Sequence, residues 1–159
     1  MSEESTERFM RHAIELGRKA AEAGDGGPFG AVVVKDGAIV GEGWNRVLAG
    51  NDPTAHGEIV AIRDACRRTG SYSLEGCDLY TSGEPCPMCL GAIYWARVER
   101  VFYGFNVQDA ANAGFDDKLI YGQLALQREQ RAIPLVQVLG EEARVVLAAY
   151  AADTDRITY

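Results

Sequence analysis

Apolar positions along this chain recur with two periods, and each change of period marks the boundary of an element. Phe9, Ala13, Leu16 and Ala20 are spaced as one face of a helix, which Gly24 and the run Gly26-Gly27-Pro28 bring to an end. Phe29 to Lys35 is short and rich in valine, as a strand is. Asp36-Gly37 is a dipeptide that tight hairpin turns favour, so Ala38 to Asn45 returns as the partner strand. Arg46 to Ala55, which contains Asn51-Asp52-Pro53, reads as a loop. Helical spacing resumes at His56, runs through Ile59, Ile62 and Cys66, and closes at Gly70. Cys77 to Ser82 is a short strand. After Gly83-Glu84-Pro85, Cys86 opens a helix with Pro87 where a missing N–H costs nothing. Val101 to Gly104 and Leu135 to Leu139 read as further strands, and Glu141 to Ala152 as a last helix before a polar tail ending at Tyr159.

Helices alternating with strands imply a sheet covered on both faces, a three-layer α/β/α sandwich. The hairpin makes the sheet mixed, and the strand count gives it five members. No repeat, low-complexity tract or linker interrupts the pattern, so residues 1–159 are expected to form one domain. The longest apolar run, Val145 to Ala152, falls far short of the ~18 residues a membrane span needs.

Composition narrows the function classes. A hydrophobic fraction of 47% with 25% charged residues is that of a folded globular chain and excludes wholesale disorder. Lys and Arg number 16 against 23 Asp and Glu, a net charge of −7. That balance argues against a nucleic-acid binder, because phosphate binding is largely a cationic effect. The first residues, Met1 to Arg8, are acidic and polar, unlike a secretory or transit peptide, so the cytoplasm is the expected compartment. There a CxxC signals metal or redox chemistry before a structural disulfide. Cys66 lies in an apolar helix stripe and is expected as a small buried hydrophobe, whereas Cys77 carries no signal. Arg63, Arg67 and Arg68 read as a solvated helix face.

The chemistry concentrates in two short stretches: Thr54-Ala55-His56-Gly57-Glu58 and Pro85-Cys86-Pro87-Met88-Cys89. Each stands where a helix begins, so His56, Cys86 and Cys89 are expected from the first turns of two helices. Cysteines three apart share a helix face, and a helix N-terminus favours the thiolate that zinc binds. One imidazole and two thiolates make three ligands for a tetrahedral zinc ion, one per chain, with the fourth position left to water or hydroxide, as in catalytic sites. Glu58, two residues beyond the ligand, is placed to take a proton from that water. A redox pair would leave His56-Gly57-Glu58 unexplained. A closed structural site would need a fourth ligand from His12, Cys66 or Cys77, none suitably spaced. His-x-Glu followed by Pro-Cys-x-x-Cys is the signature of zinc nucleobase deaminases.

On these motifs the chain resembles the cytidine-deaminase-like zinc superfamily, and within it the bacterial guanine deaminase branch. The resemblance runs over nearly the full length, through Gly26 to Ala31, Asn51 to His56, Glu84 to Arg97 and Gly114 to Asp117. It implies the same sandwich and hydrolytic removal of an amine from a purine, with guanine going to xanthine and ammonia. It also implies a homodimer in which the C-terminal segment, about 140–159, is exchanged between subunits. By resemblance, His56, Cys86 and Cys89 hold zinc, and Glu58 shuttles the proton. Asp117 is a second acidic group at the substrate, Phe29, Asn45 and Ala55 line the base pocket, Trp95 packs near it, and Tyr159 closes it in trans. Two positions depart from the family: Gly57, commonly Ala, and Gly83, often Cys. Cytosine, guanosine, a triazine or a tRNA adenosine stay open as substrates, and so does a non-catalytic zinc module. A membrane partner is not expected.

Overall fold

In the computed structural model, which describes residues 3–158, the chain runs α1 (Glu3–Ala23), β1 (Gly30–Lys35), β2 (Ala38–Trp44), α2 (Val47–Gly50), α3 (Gly57–Thr69) and β3 (Cys77–Gly83). It continues through α4 (Pro87–Trp95), β4 (Arg100–Phe105), α5 (Val107–Asn112), α6 (Asp117–Ala125), a 3₁₀ turn (Arg128–Gln130) and α7 (Gly140–Ala152). The strands form one sheet in the order β2-β1-β3-β4. β1 pairs antiparallel with β2 and with β3, while β3 and β4 run parallel, so the sheet is mixed as expected.

Side-chain alternation along β1 sorts the two cores. Val32 and Val34, with Tyr80 of β3, meet Phe9 and Ala13 of α1 on one face. Ala31 and Val33, with Leu79, meet Ala61 and Ala65 of α3 and Ile93 of α4 on the other. Two helical layers therefore enclose the sheet. Asp36 and Gly37 both take positive φ, 49° and 76°, the conformation a two-residue hairpin turn demands. Cys77 is buried in the second core and Cys66 packs at its edge.

α3 lies against the backbone of β2, and glycine permits the approach. A Cβ on Gly43 would stand 2.3 Å from the Gly57 carbonyl oxygen and the Ala61 nitrogen. Asp64, buried on α3, accepts from the Glu42 backbone N–H at 3.1 Å and pairs with Arg68 at 2.9 Å. The basic end of α3 is thus ion-paired on one side, not merely solvated.

The fifth strand is not there. Leu135 to Leu139 is irregular, makes no ladder among the described residues, and exposes Leu135, Val136 and Val138. Its alternating sequence is strand-like, but a strand exists only beside a hydrogen-bonded neighbour, and this segment has none in the sheet. The chain divides into two compact units, one ending at Tyr121 and one beginning at Gly122. Sheet, α1 and α3 belong to the first. In the second, no residue of α7 is buried. Among the described residues no helix is long and apolar enough to cross a membrane.

Candidate active site

His56 and Cys86 are the N-cap residues of α3 and α4, with extended backbone and no capping hydrogen bond from either side chain. Such positions usually carry Ser, Thr, Asp or Asn, and leaving a cap bond unmade costs a helix about 1 kcal/mol. Here both side chains turn toward each other instead. Sγ of Cys86 and Sγ of Cys89, one helical turn on, each lie 3.6 Å from His56 Nδ1. Zinc bonded at ~2.3 Å to sulfur and ~2.0 Å to nitrogen at a tetrahedral angle would set those atoms about 3.5 Å apart. The donor set therefore fits the ion in spacing as well as in kind. Among the described residues no further His, Cys, Asp or Glu joins the three, whose ligand atoms all lie within 4.8 Å of one another. The residues that a closed site would have needed stand elsewhere: His12 pairs with Glu42 at 2.7 Å, and Cys66 and Cys77 belong to the core.

The electrostatics suit a cation beside a proton carrier. Hydrogen bonds from Cys89 and His56 pull the Cys86 thiol down to about 4, against the opposing effect of burial. Cys89 is pushed upward by the bond it makes to Cys86 and by burial. His56 is raised by its bond to the Cys86 sulfur. Glu58, only 4% exposed in the first turn of α3, is lifted by burial to about 7, despite hydrogen bonds from its own backbone N–H and from Cys89. A carboxyl poised near neutrality can both take and return a proton. Burial and the neighbouring Cys86 raise Asp117 as well.

These groups open onto a cavity of about 490 Å³ lined by Phe29, Asn45, His56, Glu58, Cys86 and Asp117, together with Gly26, Gly27, Val47, Leu48, Pro53, Glu84 and Phe115. Asn45 Oδ1 accepts from the Val47 backbone N–H at 3.1 Å, which leaves its amino group as the donor to offer a ligand. A Cβ on Gly26 would strike Asn45 Oδ1, so any larger residue there would displace the Asn45 amide. Phe29 meets Phe115 and Phe105 edge-on at 4.7 and 5.5 Å, forming an apolar wall. Asp117 begins α6 and is 9% exposed, while the adjacent Asp116 carbonyl accepts from Ile120 N, so the buried carboxylate faces the cavity.

Two residues named from sequence are not in this lining. Ala55 is buried immediately before His56, where its carbonyl accepts from Arg46 N at 2.9 Å and closes the preceding loop. Trp95 ends α4 and is 65% exposed. Nine residues beyond Cys86 and six beyond Cys89, it stands about 13 Å and about 9 Å along the helix from them. Tyr159 lies outside the described residues. Phe115 and Glu84 lie in stretches that carry the resemblance, but sequence alone assigns neither a place in the lining. Leu48 and Val47 had no periodic signal, because α2 is a single turn.

Sandwich, open three-ligand centre and buried carboxylate together define a zinc-dependent hydrolytic deaminase. The family model for the cytidine and deoxycytidylate deaminase zinc-binding region matches residues 3–105, and the chain belongs to that family. It is 58% identical over 132 residues to guanine deaminase of Bacillus subtilis strain 168, covering 83% of this chain and 85% of that one. It is 36% identical over 166 residues to the tRNA-specific adenosine deaminase of Haemophilus influenzae, covering 96% and 95%. The X-ray structure of guanine deaminase from Bacillus subtilis superimposes with a TM-score of 0.92 at 50% identity, covering 100% of this chain and 99% of that one.

Proposed function

We propose that the chain deaminates a free purine base, converting guanine and water to xanthine and ammonia. The observation that carries this reading is the character of the cavity wall. Glu58, Glu84 and Asp117 line it with aromatic rings, and no lysine or arginine is among the described lining residues. A phosphate would meet carboxylates with no cation to offset it, whereas a flat neutral heterocycle rich in N–H donors finds both stacking surface and acceptors. Similarity to guanine deaminase supports the choice among purines.

His56, Cys86 and Cys89 would hold zinc, which when bound acidifies water and offsets negative charge developing on the substrate. Glu58 takes a proton from the attacking water as the new C–O bond forms at the amine-bearing carbon. It delivers that proton to the adjacent ring nitrogen, then takes the remaining proton of the new hydroxyl and passes it to the amine as the oxygen becomes a carbonyl, the C–N bond breaks and ammonia leaves. Asp117 accepts from a ring N–H, Asn45 donates to a ring or exocyclic acceptor, and Phe29 with Phe115 stacks the base. Ammonia release from the zinc-loaded protein, measured across guanine, adenine, cytosine, guanosine, deoxycytidylate and an anticodon stem-loop, tests the reading. Guanine should dominate. Faster turnover of the nucleotide or the stem-loop would overturn it.

The working form is proposed to be a homodimer. Val136, Val138, Val145, Val146, Leu147 and Ile157 of the second unit are exposed within one chain. So small a unit has too little interior to cover them by itself, and the segment 140–159 is proposed to cross to a second copy, with Tyr159 closing that copy's cavity. Sedimentation should give twice the chain mass, and removal of residues 153–159 should impair turnover. Four free cysteines suit a reducing compartment, and the cytoplasm is the proposed location, with a place in purine breakdown.

A further inference from the structure

α6 brings Asp117 to the cavity, and its other side-chain tie near Asp117 is an exposed one, from Lys118 Nζ to Gln108 Oε1 of α5 at 2.8 Å. Leu119, Ile120 and Leu124 are exposed, and Asp117 is the helix's buried residue. Tyr121, one turn after Asp117 and therefore on the same helix face, is half-buried. Its phenol donates to the carbonyl of Pro85 at 2.7 Å. Pro85 directly precedes the metal ligand Cys86. The same stretch is gripped from the far side as well. The Val107 backbone N–H donates to Glu84 Oε2 at 2.9 Å, and the Glu84 N–H donates to the Phe105 carbonyl at 2.8 Å.

We propose that Tyr121 is a positioning residue for Asp117, its hydroxyl bond to Pro85 fixing the cavity carboxylate of α6 against the loop that presents Cys86. The inference rests on the reading of Asp117 as a group that contacts substrate. Glu84 and its partners anchor the loop to β4 and α5, so the loop keeps its place without the phenol. What the phenol adds is the tie between that fixed loop and α6. Losing it frees the helix to shift, and with it the Asp117 carboxylate, while the zinc ligands stay put.

Tyr121→Phe removes the hydroxyl and keeps the ring. In the zinc-loaded full-length protein it should retain its zinc and lose about three- to tenfold in kcat/KM for guanine, the effect of one hydrogen bond. The discriminating readout is the cycle with Asp117→Asn. If Tyr121 acts through Asp117, the double variant turns over no more slowly than Asp117→Asn alone. Xanthine affinity, measured by calorimetry on the same four proteins, closes the cycle where turnover falls below detection. An unchanged Tyr121→Phe enzyme, or losses that multiply in the double variant, would overturn the proposal. Full activity of Asp117→Asn by itself would show instead that the reading of Asp117 was wrong, and would remove the proposal with it.

Discussion

Replacing Gly43 with alanine tests how tightly the catalytic helix is seated. The added Cβ would lie 2.3 Å from both the Gly57 oxygen and the Ala61 nitrogen, where ordinary contact begins at 3.4 Å. Both obstructing atoms are backbone, so no rotamer change relieves them, and α3 must retreat from β2 by about 1 Å. Overpacking of this kind costs typically 1–3 kcal/mol, which urea unfolding followed by circular dichroism will resolve. The helix that retreats begins with His56 as its cap and Glu58 in its first turn. A misplacement of ~1 Å at reacting groups can cost on the order of a hundredfold in rate, so Gly43→Ala should lose ten- to a hundredfold in kcat. Gly41→Ala supplies the graded comparison. Its Cβ meets the Ala61 oxygen and the Ala65 nitrogen at 2.6 Å, farther along the helix. It should destabilise comparably but lose less turnover. A Gly43→Ala protein with unaltered stability and kcat would refute the reasoning, as would Gly41→Ala proving the worse enzyme.

Glu58→Gln should keep one zinc per chain yet lose at least a hundredfold in turnover, since general acid–base help is worth about 10²–10⁴-fold; metal analysis beside an ammonia assay separates the two. Zinc affinity should strengthen as pH rises from 6 to 8, because Cys89 and His56, both shifted upward, must shed protons on binding, whereas Cys86, at about 4, has already lost its own. Competition with a chelator at each pH measures this, and a flat profile would contradict it. Phe115→Ala removes one face of the apolar wall and should raise KM for guanine about tenfold, in line with ~1–3 kcal/mol for base–aromatic stacking, while kcat changes little.

The legible parts of this molecule are those written in local spacing. Asp36-Gly37 specifies its own turn, and the valines of β1 alternate toward two cores without reference to anything distant. His56, Glu58, Cys86 and Cys89 could be assembled from sequence because each stands at a helix start, where local signals are strongest. Residues whose role comes from a distant neighbour were hidden. Nothing near Gly43 announces that α3 rests on it. Phe115 belongs to a recognisable stretch but has no role of its own until Phe29 lies against its ring, and Trp95, which follows the cysteines on the same helix, is carried away from them by the helical rise. Leu135 to Leu139 shows the converse error: its alternation is that of a strand, but alternation reports which faces differ and not whether a neighbour is present to complete the ladder.

The charge around the cavity explains why the metal centre and the choice of substrate are one problem. Two thiolates match a divalent ion, and the N-termini of α3 and α4 add positive potential to the same spot. Glu58, Glu84 and Asp117 have no such counterweight on the lining. Between unit charges about 5 Å apart at an effective dielectric of ~20, repulsion amounts to roughly 3 kcal/mol, about a hundredfold in affinity for each carboxylate a phosphate approaches. Raising Glu58 and Asp117 by burial softens that field by favouring their protonated forms, yet a protonated carboxyl still cannot pair with a phosphate as arginine does. Selection against nucleotides therefore needs no blocking side chain. On the proposed roles it follows from siting the proton carrier Glu58 beside two further carboxylates in a wall without cations, and a neutral base is what such a wall can accept.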